Sequence, residues 1–119
     1  MAKKRPLAPS LQDKVARFLL EELAEEVVLF EVKEGLSWTD AFVLATAQNR
    51  VHLGTLRASV KKWGKTEGLF AVPEGQSPET EWSLLDLGSV VVHLLTPAAR
   101  DRWDLDALFA DYPKVAYND

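Results

Sequence analysis

The strongest hydrophobic pattern in the chain lies between Glu81 and Leu95, where a polar segment separates two apolar runs. Short apolar runs split by a few residues that include a glycine predict a β-hairpin, here with Gly88 in the turn. In the first run, Trp82 and Asp86 share one face of the predicted strand, because alternate residues point to the same side. The second run, Val90–Leu95, is apolar on both faces. A strand of that kind is covered on both faces, so it lies inside a sheet that carries helices.

Periodicity predicts the other elements. The predicted helices cover residues 11–24, 50–67, 97–102 and 104–109, and further strands are predicted at 27–32, 40–46 and 69–72. Ser10 and Thr96 are the expected N-caps, and Gly68 is the expected end of the second helix. The order of these elements predicts an α/β fold, a mixed five-stranded sheet flanked by helices.

The length of 119 residues allows one hydrophobic core and therefore one domain. We expect a disordered basic lead-in at residues 1–9, a single domain at 10–110 and a tail at 111–119. The absence of cysteine excludes a disulfide framework and a cysteine nucleophile. No apolar run approaches the ~20 residues that span a bilayer, and no apolar segment follows the basic start. A cytoplasmic protein without a membrane partner is expected.

Charge is unevenly distributed along the chain, whose formal net charge is −4. Residues 1–70 carry 11 Lys/Arg and 9 Asp/Glu, whereas residues 71–119 carry 3 Lys/Arg and 9 Asp/Glu. An acidic second half attracts basic partners and repels nucleic acid at ranges set by salt screening. An acidic surface that only maintains solubility explains the same asymmetry equally well.

The predicted helix at 50–67 is basic. Its cationic residues are Arg50, Arg57, Lys61, Lys62 and Lys65, and no acid precedes Glu67. Such a patch raises the hypothesis of nucleic-acid contact, but Trp63 lies on the apolar stripe and is expected in the core rather than stacked on bases. Lysines near a helix C-terminus also suit the helix dipole without a ligand. No sequence-specific nucleic-acid binding is expected.

The sequence contains no pattern that indicates a catalytic site. His93 lies in an apolar strand and is expected to be a hydrogen-bonded core residue. Gly88-Ser89 followed by Asp104-Leu105-Asp106 superficially resembles a nucleotidyltransferase signature. That chemistry needs the first pair at a helix start and the two acids on a strand holding Mg²⁺, whereas here they are predicted in a turn and a helix. No catalytic residue, metal site or cofactor is therefore predicted.

Several motifs occur in the order characteristic of one protein family. They are Trp38-Thr39-Asp40 before FVLAT, His52 at a helix start, Pro73-Glu74-Gly75, Trp82, Asp86-Leu87-Gly88 before VVVH, and Arg100 with Trp103-Asp104-Leu105. Between about Leu11 and Phe109 the chain thus resembles the ribosomal silencing factor (Iojap) family. It departs from the family pattern at Val51, Ser89, Trp103 and Phe109, where the family usually has Arg, Asp, Tyr and Trp. These differences affect the contacts expected of the individual residues more than the resemblance to the family.

The resemblance implies a nucleotidyltransferase-like topology without catalysis. It also implies binding to a conserved protein of the large ribosomal subunit at the intersubunit face. Such binding would sterically block association with the small subunit and repress translation, and a homodimer is a further implication. Two alternatives remain: a nucleotidyltransferase-like nucleotide-binding enzyme, and an α/β dimerisation module with another partner.

Five residues are predicted to bind the partner: Trp82, Asp86, Arg100, Trp103 and Asp104. Large aromatic residues dominate interface energetics, and acidic residues suit a basic ribosomal protein. For the two tryptophans, core packing is an equally good prediction. Asp86 could instead cap the hairpin, and Arg100 could pair with Asp104 at i, i+4.

Overall fold

The computed structural model describes residues 10–33, 35, 39–69 and 80–117. In this part the chain forms four helices and five strands. The helices are α1 (Leu11–Glu21), α2 (Arg50–Thr66), α3 (Pro97–Trp103) and α4 (Leu105–Leu108). The strands are β1 (Glu25–Glu31), β2 (Ala41–Thr46), β3 (Trp82–Asp86), β4 (Val90–Leu95) and β5 (Lys114–Tyr117).

The strands form one mixed sheet in the order β3-β4-β2-β1-β5. Strands β2 and β4 are parallel, and the other neighbours are antiparallel. The predicted α/β fold with a mixed five-stranded sheet is confirmed. The nucleotidyltransferase-like topology stays a prediction.

Helices cover the sheet on both faces, which explains why β4 is apolar throughout. All six residues of β2 and all six of β4 are buried. Helices α1 and α2 enclose the larger core on one face, with Leu19 and Leu56 fully buried there. Helices α3 and α4 enclose a smaller aromatic core on the other face, around Phe30 and Phe42. The prediction that the second apolar run lies inside the sheet is confirmed.

The predicted helix and turn signals are found where the sequence placed them. Ser10 Oγ accepts a hydrogen bond from the Asp13 amide at 3.2 Å, and Thr96 Oγ1 accepts one from the Ala99 amide at 3.2 Å. Gly88 has φ +95° in the turn between β3 and β4. That region of φ favours glycine, which has no Cβ to clash there.

The predicted tail at 111–119 is wrong, because it contains the edge strand β5. Residues 114–117 pair with β1, from Val27↔Tyr117 to Phe30↔Lys114. Tyr117 Oη also donates to Asp13 Oδ1 at 2.8 Å, so the strand is attached to α1 as well. The sequence signal is weak because only alternate residues of this four-residue strand are even partly buried.

Some predicted segments lie wholly or partly outside the described residues. These are the lead-in at 1–9, Trp38, the strand expected at 69–72 beyond Leu69, and Pro73-Glu74-Gly75. Leu69 itself follows α2 outside any strand. Within the described part of the chain, no helix is long and apolar enough to cross a membrane.

Candidate partner-binding site

Trp82 and Trp103 meet on the face of the sheet that α3 covers. Their ring centroids are 5.7 Å apart, and the rings are tilted by 43°. Trp82 is half-buried against the aromatic core, whereas Trp103 at the end of α3 is 52% exposed. Trp82 is therefore mainly a support, and Trp103 provides the accessible aromatic surface.

His93 on β4 holds the orientation of Trp82. The indole Nε1–H of Trp82 donates to His93 Nδ1 at 3.2 Å, and the ring of Phe42 meets the imidazole edge-on at a centroid distance of 5.1 Å. Burial lowers the pKa of His93 to about 4, so the imidazole is neutral near pH 7. With Nδ1 as acceptor, the proton of the neutral ring is assigned to Nε2. The prediction of a hydrogen-bonded core histidine is confirmed.

Asp104 forms the sharp junction between α3 and α4. Its backbone is left-handed, with φ 49° and ψ 49°, a conformation that Asp and Asn adopt more readily than most residues. Its amide donates to the Arg100 carbonyl at 3.2 Å, which closes α3. The Asp104 side chain is exposed beside Trp103 and makes no capping hydrogen bond to α4.

An acidic groove of about 670 Å³ runs between the β1–β5 edge of the sheet and α3–α4. Its lining residues are Glu26, Val27, Val28, Pro97, Arg100, Asp101, Asp104, Asp106 and Ala116. Four carboxylates thus face one guanidinium, and the groove carries net negative charge. The groove and the tryptophan pair flank α3 on two sides.

Arg100 is built into the wall of this groove. Its Nε and Nη2 donate to the two carboxylate oxygens of Asp106 at 2.7 and 2.9 Å. Its Nη1 donates to the Glu26 carbonyl and to Thr46 Oγ1, both at 2.9 Å. Only 9% of the arginine is exposed, so it joins α3 and α4 to strands β1 and β2.

The predicted alternative partner of Arg100, Asp104, is therefore wrong. The turn at Asp104 brings Asp106 to the guanidinium instead, and hydrogen bonds from Arg100 are the main reason why the pKa of Asp106 is lowered. Arg100 contributes to the site by fixing the shape of the groove.

Asp86 lies apart from the other predicted contact residues. Its Oδ1 accepts a hydrogen bond from the Gly88 amide at 2.8 Å, so the predicted role as a hairpin cap is confirmed. It is at the opposite end of β3 from Trp82, about 13 Å away at the usual rise of a strand. The structure places Trp82 against Trp103 and places Arg100 and Asp104 in the groove, whereas Asp86 belongs to neither group.

Three acidic groove residues, Glu26, Asp101 and Asp106, are absent from the partner-binding residues predicted from the sequence. Asp101 precedes Asp104 by only three positions, so a cluster of acids was visible in the sequence. Glu26 points into the groove from an irregular position, since it has φ 49° and lies where the pairing of β1 with β2 shifts register. A bulge of this kind is not visible in the hydrophobic pattern.

The residues that resemble a nucleotidyltransferase signature do not assemble in the required way. Ser89 lies in the hairpin turn, and Asp104 lies at the junction between α3 and α4. Asp106 accepts hydrogen bonds from Arg100. In the described ranges, no three or more His, Asp or Glu side chains are grouped as metal ligands.

Comparison with known proteins identifies the family. The protein-family model described as "Ribosomal silencing factor during starvation" matches residues 6–119. The chain belongs to this family. Among its relatives, a ribosomal silencing factor of Treponema pallidum is 36% identical over 99 residues, covering 82% of this chain and 87% of the relative.

Two further proteins extend the comparison. The mouse protein "Mitochondrial assembly of ribosomal large subunit protein 1" is 27% identical over 101 residues, which is 82% of this chain but only 44% of that protein. A crystal structure of a Chromobacterium violaceum protein matches with a TM-score of 0.71 at 25% identity, covering 93% of this chain and 95% of that one.

Proposed function

We propose that this member of the ribosomal silencing factor family binds the large ribosomal subunit at its intersubunit face, through a ribosomal protein. Bound there, it sterically blocks association with the small subunit and so represses translation in the cytoplasm. Family membership and the mouse relative, named for assembly of the large ribosomal subunit, support a ribosomal partner. The proposed action is steric and uses no catalytic residue, metal or cofactor.

The single observation that carries the proposed contact site is the exposed Trp103 packed on Trp82. Large aromatic side chains that are held rigidly before binding lose little conformational entropy when a partner covers them. The hydrogen bond from Trp82 to His93 and the contact with Trp103 provide that support. Trp103 is therefore the proposed anchor.

The acidic groove supplies the charge complementarity. Ribosomal proteins are generally basic, because they bind RNA, and Glu26, Asp101 and Asp104 offer carboxylates that no described arginine or lysine pairs with at ion-pair distance. Complementary charge accelerates association and favours the correct orientation of the two proteins. The groove and Trp103 together give a partly apolar, partly acidic contact surface.

Removal of the anchor tests this site. We expect Trp103→Ala to weaken co-sedimentation with isolated large subunits by about 2 kcal/mol, or roughly thirtyfold in Kd. Val51→Ala is the matched control, because Val51 is 80% exposed but lies at the start of α2 on the other face. Equal binding by wild type and Trp103→Ala would remove Trp103 from the site.

A second variant in the same assay separates charge from aromatic contact. Asp101→Asn with Asp104→Asn neutralises two groove carboxylates, and Asn tolerates the left-handed backbone at position 104. The loss of binding should be larger at low salt than at high salt, because salt screens exposed charges. A loss that does not vary with salt would argue against a role for groove charge.

A homodimer, which the family resemblance implies, is also part of the proposal. The sheet ends in two edges, β3 and β5, and such edges are common pairing surfaces between copies of a chain. The molar mass of the protein in solution decides this point.

A further inference from the structure

Helix α2 carries a second charged surface, on the face of the sheet opposite to Trp103. The helix buries Leu53, Leu56, Val60 and Gly64 against the larger core. The lysines of its second half, Lys61, Lys62 and Lys65, lie outside that buried stripe, and Lys62 and Lys65 are exposed. We call these three residues the lysine patch. No acidic residue occurs anywhere in α2.

The lysine patch is not compensated within the described part of the chain. Other cations on this side have acidic partners: Lys14 with Glu67 at 3.8 Å, and Arg50 with Glu81 at 3.1 Å. None of the patch lysines lies within ion-pair distance of a described carboxylate. Only Lys65 lies in the last helical turn, so the helix dipole accounts for one of the three.

The shape of the exposed helix face also suits close approach by a partner. Val51 is exposed at the start of the helix, but between Val51 and the lysine patch the exposed residues are small: Gly54, Thr55 and Ala58. A Cβ placed on Gly54 would meet nothing within 4 Å, so the surface there is open. An extended backbone of another molecule can therefore lie along α2 from Gly54 onward and reach the lysines.

We propose that the lysine patch binds the phosphate backbone of RNA in the large ribosomal subunit. The inference rests on the proposed function, since a protein bound to a subunit surface is surrounded by RNA phosphates. The chain as a whole has a net charge of −4, so a local group of unpaired lysines is not explained by general surface charge. Contacts of this kind are independent of base sequence.

The two surfaces carry opposite charge and therefore suit different partners. The acidic groove lies on the α3–α4 face and suits a basic protein, whereas the lysine patch lies on the α1–α2 face and suits a polyanion. One partner of a single charge sign does not suit both faces. Two separate contacts would fix the orientation of the protein on the subunit, which a single anchor at Trp103 does not.

The test is the salt dependence of binding to isolated large subunits, measured by co-sedimentation. Each phosphate contact contributes about 0.7 to 0.9 to the slope of log K against log salt. The triple variant Lys61→Gln/Lys62→Gln/Lys65→Gln should bind about tenfold or more weakly at low salt, with a slope smaller by about 2. The matched control Lys14→Gln/Arg17→Gln/Arg50→Gln removes equal charge from cations that have acidic partners, and it should keep the wild-type slope.

A second experiment does not need the ribosome. It measures direct binding of a short RNA duplex of mixed sequence by fluorescence anisotropy. Wild type should bind the duplex and the triple variant should not, and polyglutamate should compete poorly. If wild type binds subunits but the triple variant keeps its affinity and salt slope, the inference is overturned and the proposed function stands. If wild type fails to bind subunits, the proposed function fails and so does the contact with subunit RNA, and the duplex result decides only whether the lysine patch binds RNA at all. Better binding of polyglutamate than of RNA would assign the patch to an acidic protein and overturn it.

Discussion

A single buried histidine controls the surface on which the proposed contact depends. His93 accepts the indole hydrogen of Trp82, and Trp82 in turn supports Trp103. A protonated imidazole has no acceptor nitrogen, so this support exists only while the ring is neutral. Burial provides that condition, because it lowers the pKa of His93 to about 4.

The lowered pKa predicts a pH dependence of stability. The ordinary pKa is 6.5 and the folded value is about 4, so in between the unfolded chain binds a proton that the folded chain does not. Stability should therefore fall as pH falls through that window, by about 2 kcal/mol between about pH 7 and about pH 5. Urea unfolding of wild type and His93→Gln measures it, since glutamine can still accept from Trp82 but does not titrate. An equal fall in both proteins would assign the effect to other groups.

At the same scale, local signals were predictable and long-range partners were not. The caps at Ser10 and Thr96 and the turn glycine at Gly88 follow from short sequence patterns, and the structure has all three. The prediction that Arg100 pairs with Asp104 was wrong because the i, i+4 rule assumes a continuous helix. The left-handed turn at Asp104 breaks the helix there and brings Asp106 to Arg100.

Whether a strand is buried on both faces determines how easily it is predicted from the sequence. Strands β2 and β4 are fully buried and give continuous apolar runs, which made them the easiest to predict. Strand β5 alternates between exposed and half-buried residues over four positions, and it pairs with β1 from the far end of the chain. The acidic groove was not predictable either, because it needs the bulge at Glu26 next to α3.

The two edge elements of the sheet lead to a prediction about assembly. Backbone groups on the outer sides of β3 and β5 have no strand partner within the described sheet, and edge strands of this kind pair readily with a second copy. Light scattering at micromolar concentration should therefore give about twice the chain mass of 13.3 kDa. A monomer at every concentration would exclude the homodimer without affecting the proposed ribosome contact.

For the molecule as a whole, the sheet separates two surfaces of opposite charge. The α3–α4 face carries Trp103 and the acidic groove, and the α1–α2 face carries the lysine patch. This arrangement suits the proposed binding to a surface made of basic protein and RNA. Under the proposed function, the effect of the protein depends on which surfaces of the ribosome are free.

Dependence on a free surface is the central claim, and the order of addition tests it most directly. The protein is added to separated subunits before they are mixed, or to ribosomes that have already joined, and the fraction of joined ribosomes is measured by gradient sedimentation. Steric exclusion predicts a lower joined fraction in the first case and little change in the second, because the docking surface is then covered. Equal inhibition in both orders, or none in either, would contradict it.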